Sequence, residues 1–157
     1  MLEGINLCKR NISDYLRDAR VIIEKGNLNH AYVSVQLSLE EFGKIIMLRE
    51  TLSDNESKDV IPVKENVFTN HIGKSEKAWN VLDSTFRRIF GEVGFEDTGE
   101  GGFDPRGFET ITTAGHRTRL QCAFVDFHLN KWWLGRNIEE KRLIELIDHI
   151  EERLTGA

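Results

Sequence analysis

The stretch from Leu28 to Leu52 constrains the fold more than any other part of the chain. At about 100° per residue its apolar side chains fall on a helix, and Glu41 projects between Leu37, Ile45, Leu48 and Leu52. Gln36, Glu40, Lys44 and Thr51 mark a separate polar edge. A carboxylate left unpaired in a core costs several kcal/mol or forces a raised pKa. Glu41 therefore needs a cation or a hydrogen-bond donor from another helix, and His71 and Lys74 are the best candidates.

The periodicity extends through most of the chain. Only Pro62 and Pro105 interrupt it, and β-branched alternation is scarce, so the pattern predicts an all-α protein of about five helices. The first spans about Leu2 to Lys25, with Gly26 as its C-cap, and Asn27 opens the Glu41 helix, which ends near Leu52. A third, about Lys64 to Phe90, carries His71 within its apolar arc and Lys74 at its border. A fourth runs from about Phe108 to Asn130, and the last from a capping-box-like Asn137-Ile138-Glu139-Glu140 to Leu154. Residues 91–107 hold six glycines and five acids and read as a flexible acidic loop, whose carboxylates would repel phosphate. Short connections imply a mostly antiparallel bundle, with sites built from side chains on facing helices.

Composition narrows the function classes. At 157 residues, 39% hydrophobic and 30% charged, the chain fits one soluble domain. Its net charge of −5 supplies no global basic field for nucleic acid or anionic lipid. Cys8 and Cys122 lack any metal-ligand spacing, which predicts reduced thiols in a cytoplasmic protein. No signal-peptide pattern and no apolar run of membrane-spanning length occurs. Glu-x-x-His pairs of the kind that build di-metal centres are missing as well, so neither a metal nor another cofactor is expected.

His30, Ser34, Ser38 and Glu41 form a polar seam along one face of the second helix. Such a seam supports close helix packing around one structural ion pair. Alternatively, Glu40, Glu41, Lys44, His71 and Lys74 converge on a small polar pocket for proton transfer or ligand binding. The two readings differ in whether a ligand can enter.

Gly26 followed by Ala31, then Glu40-Glu41-Phe42-Gly43-Lys44, then His71 with Lys74, and finally Phe124-Val125-Asp126 resemble, in order and spacing, the AbiV-type abortive-infection proteins of bacteria, a branch of the HEPN helical superfamily. The resemblance covers nearly the whole chain. It implies a HEPN-like helical bundle acting in defence against bacteriophage, with a homodimer as a common assembly in the wider superfamily. Partners would be a phage or host protein, or RNA or a nucleotide.

Many HEPN proteins are metal-independent ribonucleases that use an Arg-x(4 to 6)-His pair. Arg142 and His149 have six residues between them, but about one such match is expected by chance in a chain of this composition. Both lie off the apolar face, and Leu143 replaces the polar residue often found after the arginine. The first reading is therefore a binding effector acting through the polar cluster, with a ribonuclease using His71 and Lys74, or Arg142 and His149, as the alternative. A non-catalytic helical interaction protein is the third reading. His116, Arg117 and Arg119 offer a small basic patch that is more simply a solvated face, and Arg119 and Asp126 share a helical face that could orient the same cluster. Trp132-Trp133 reads as a core plug or a docking surface.

Overall fold

A computed structural model describes residues 1–55, 66–82, 125–128, 131–134 and 138–155. As expected, the fold is a helical bundle. Among the described residues it contains α1 (Leu2–Glu24), α2 (Leu28–Ser53), α3 (Asn66–Thr69), α4 (His71–Val81), strands β1 (Val125–His128) and β2 (Lys131–Leu134), and α5 (Glu140–Thr155).

Helices α1 and α2 form an antiparallel hairpin. Gly26 takes φ +75°, the left-handed conformation that glycine adopts without a Cβ penalty. Its N–H and that of Asn27 donate back to the carbonyls of Ile23 and Ile22, at 2.8 and 3.2 Å. Asn27 then caps α2, its side chain accepting from the His30 N–H. This reversal sets Gly4 beside Leu48 and the Cys8 thiol beside Glu41. Ile5, Ile12, Leu16, Ala19 and Ile23 of α1 pack into the core with Val35, Leu39, Phe42 and Ile45 of α2. Leu143, Leu146, Ile147 and Ile150 of α5 complete it. Full burial of each large aliphatic side chain contributes about 1.5–3 kcal/mol relative to exposure.

Helix α4 runs parallel to α2, because His71, Lys74 and Lys77 meet Glu40, Gly43 and Glu50 in ascending order. The mostly antiparallel expectation fails at this pair. Fifteen residues separate Asp54 from Asn70 in the sequence, enough chain to return to the level of Glu40 before α4 begins.

The expected third helix is also interrupted. Asn70 separates α3 from α4 and caps the latter by accepting from the Gly73 N–H at 2.8 Å. Helix α4 ends at Val81, where Leu82 turns to extended backbone. Residues 125–128, expected as the end of the fourth helix, form β1 instead, which pairs antiparallel with β2 in the register Val125↔Leu134 to His128↔Lys131, and the rest of that expected helix lies outside the described residues. Val-Asp-Phe-His and Lys-Trp-Trp-Leu are rich in residues that favour strands and stand two residues apart, so a tight hairpin wins over helical periodicity. The glycine-rich acidic loop at 91–107 and the basic residues His116, Arg117 and Arg119 lie outside the described residues. No described helix is long and apolar enough to cross a membrane.

Candidate functional site

The buried charge of the bundle centres on Glu40. Its side chain is 8% exposed, and Oε2 lies 2.6 Å from His71 Nδ1 and 3.9 Å from Lys74 Nζ. Lys74 is itself buried, and its ammonium donates to the Phe68 carbonyl at 3.0 Å. His71 and Lys74 thus reach Glu40, and not Glu41 as the helical wheel suggested. Gln36 and Glu40, read from sequence as a polar edge, are 3% and 6% exposed. That edge is the face that α4 and α3 cover.

Glycine makes this arrangement possible. A Cβ on Gly43 would overlap the Lys74 carbonyl and fall within 2.9 Å of Lys74 Cα. The two backbones touch there, one helical turn beyond Glu40, which brings the first turn of α4 within reach of the carboxylate.

Glu41 points to the other side of α2. It pairs with Lys44 at 2.6 Å, and both side chains are largely buried, while its Oε2 is enclosed without a well-formed hydrogen bond. Cys8 from α1 lies against it. Burial first, then the hydrogen bond to Glu41 and that carboxylate's charge, push the Cys8 thiol up to about 11, with Lys44 and Lys74 pulling the other way. The two adjacent glutamates therefore serve different neighbours, Glu40 facing α4 and Glu41 facing α1.

The rest of the expected seam is less coherent. His30 is exposed and bonded to Asn27 at 2.8 Å, whereas Ser38 is fully buried and donates to the Val35 carbonyl at 2.7 Å. Gln36 Nε2 is buried with no hydrogen-bond partner among the described residues. Sequence reasoning read Cys8 only as a reduced thiol and set Phe68 in the apolar arc of the third helix, whereas Phe68 is exposed. Antiparallel pairing of the first two helices signals the first, and the second stands only three residues before His71.

His71 has one face in each environment. Nδ1 lies against the buried carboxylate, yet the side chain is 51% exposed. An ionised carboxylate accepts and cannot donate, so Glu40 holds a proton on Nδ1 and leaves Nε2 for an incoming group.

Arg142 and His149 have a different setting. Arg142 is bound to Glu139, and His149, 13% exposed, leans toward Glu152 at 3.9 Å. Each is joined to an acid on the same stretch of chain. Asp126 lies in β1 opposite Trp133, so the helical spacing that linked it to Arg119 does not apply. Among the described residues, no group of three His, Cys, Asp or Glu side chains gathers in the manner of metal ligands.

A separate cleft of about 590 Å³ opens between α2 and the ends of α4 and α5, with Phe42, Ile45, Arg49, Val81 and Arg153 among its walls. Glu40, His71 and Lys74 do not line it.

The family model described as AbiV, a HEPN group, matches residues 1–155. No curated protein and no solved structure matches the chain.

Proposed function

Because the chain belongs to the AbiV family of HEPN proteins, which act in abortive-infection defence against bacteriophage, we propose that it works as a binding effector that engages its target through the Glu40, His71 and Lys74 cluster. The observation that carries this reading is the half-exposed His71 ring backed by a buried carboxylate. Such an arrangement presents an oriented polar group on a rigid helix, which limits the entropy lost when a partner docks. Lys74 balances the buried charge from below, and Gly43 sets the helix spacing. Glu41 and Lys44 support the same helix from its α1 side.

A metal-independent ribonuclease is supported less well. An RNA-cleaving site needs a cation placed for phosphate as well as a base. Lys74 is directed inward to Glu40 and Phe68, and Arg142 is engaged by Glu139.

The test is phage plating and culture survival on cells expressing wild type, Glu40→Gln, His71→Ala, Lys74→Ala or His149→Ala, with soluble yield and thermal melting measured for each. Folded His71→Ala protein should lose protection while His149→Ala keeps it. Loss confined to His149→Ala, together with RNA cleavage in chelator by wild type, would transfer function to the Arg142 and His149 pair.

A further inference from the structure

The buried Glu40 and Lys74 anchor two exposed side chains at once. Glu40 holds the His71 ring, and Lys74 holds the Phe68 carbonyl, so both residues are fixed from below by one interior charge pair. Phe68 is 56% exposed, and every residue from Phe68 to His71 is exposed. Scattered exposed apolar side chains are ordinary. This one differs because a lysine that is only 3% exposed ties down its backbone.

We propose that Phe68 and His71 form a single projecting contact for a protein partner, the phenyl ring entering an apolar pocket and His71 Nε2 making a hydrogen bond at its edge. The inference rests on the binding-effector reading and adds the class of partner. Aromatic anchors with a polar neighbour dominate protein interfaces because they bury much area at small entropic cost.

Charge argues against a nucleic-acid partner at this face. Single-strand readers combine aromatic stacking with uncommitted cations along the backbone. Among the described residues of α4, Lys74 and Lys77 each face a carboxylate, from Glu40 and Glu50 respectively. The net charge of −5 adds no attraction for phosphate.

The experiment compares Phe68→Ala, Phe68→Trp, His71→Ala and the α1 control Leu7→Ser, itself an exposed apolar position, in plating assays with phages that wild type restricts. Melting temperature and soluble yield are recorded for all. A fluorescent oligoribonucleotide is titrated against wild type in parallel. The proposal expects Phe68→Ala and His71→Ala each to lose protection by about tenfold or more, the scale of a lost interface anchor, with unchanged melting. Phe68→Trp should retain protection, Leu7→Ser should be silent, and the oligoribonucleotide should not bind.

Loss in His71→Ala with full protection by Phe68→Ala would overturn the joint contact and leave the binding-effector reading standing. Full protection by both would overturn both. Oligoribonucleotide binding abolished by Phe68→Ala would overturn the protein partner in favour of RNA.

Discussion

Gly43 and Lys74 are in backbone contact: a Cβ on the glycine would occupy the space of the lysine carbonyl. Backbone cannot swing aside as a flexible side chain can. Gly43→Ala should therefore separate α2 from α4 and outweigh the roughly 1 kcal/mol that alanine normally gains over glycine within a helix. The expected net loss is about 2–3 kcal/mol, the scale of overpacking, read as a lowered midpoint in chemical denaturation. An unchanged or raised midpoint would contradict the close approach.

Glu40 and Lys74 are both nearly buried, so removing one strands the other. Glu40→Ala should cost about 3–5 kcal/mol, whereas the half-exposed His71 contributes no more than about 1 kcal/mol through its contact with the carboxylate. The double variant Glu40→Ala/Lys74→Met should recover part of the loss, since an apolar pair leaves no buried charge unpaired. A double-mutant cycle in urea measures the coupling, and strictly additive losses would argue against a direct interaction.

The raised thiol of Cys8 favours its neutral form in the folded protein. An ordinary cysteine thiol titrates near 9.0, and burial beside Glu41 pushes Cys8 up to about 11. The associated stability is complete below about pH 9 and is lost as pH rises through about 11. The stability of wild type relative to Cys8→Ala should fall across that window by an amount of order 2 kcal/mol. Iodoacetamide at about pH 8 should leave Cys8 unmodified in the folded chain and label it after denaturation, as peptide mapping can show.

Arg20 joins α1 to α5 through Asp148 at 2.6 Å and Glu151 at 2.8 Å, and these two acids hold its guanidinium above its ordinary pKa, the Glu151 hydrogen bond first. All three side chains are at least 37% exposed, so solvent screens the clamp. Arg20→Ala should cost less than about 1 kcal/mol and cost less still in high salt. Ile147→Ala, at a fully buried position on α5, should cost about 2–5 kcal/mol. Equal losses would mean that the ion pairs, and not the apolar stripe, dock α5.

The helical plan was legible because Ile5, Ile12, Leu16 and Ile23 in α1, and Leu143, Leu146, Ile147 and Ile150 in α5, repeat at helical spacing. The need for His71 or Lys74 beside a buried glutamate was legible too, from the cost of unpaired charge. Which glutamate they meet was not. Adjacent residues on a helix differ by only about 100°, and a wheel drawn from α2 alone has no external mark to fix its rotation. Asn70 and the two strands were missed for another reason. A local cap and a two-residue hairpin overrode the longer apolar period on which the helix boundaries had been drawn.

The paired glutamates have a consequence for helix alignment. A helix carrying Glu40 and Glu41 could turn by one residue and still set a carboxylate against α4, with Glu41 in the place of Glu40, so the need of His71 and Lys74 for a carboxylate leaves two settings open. Gly43 discriminates between them. After such a turn, Phe42 or Lys44 would present a side chain to the Lys74 carbonyl, where only a hydrogen fits. The glycine thus indexes the rotation of α2, and the charges report a setting that steric exclusion has already chosen.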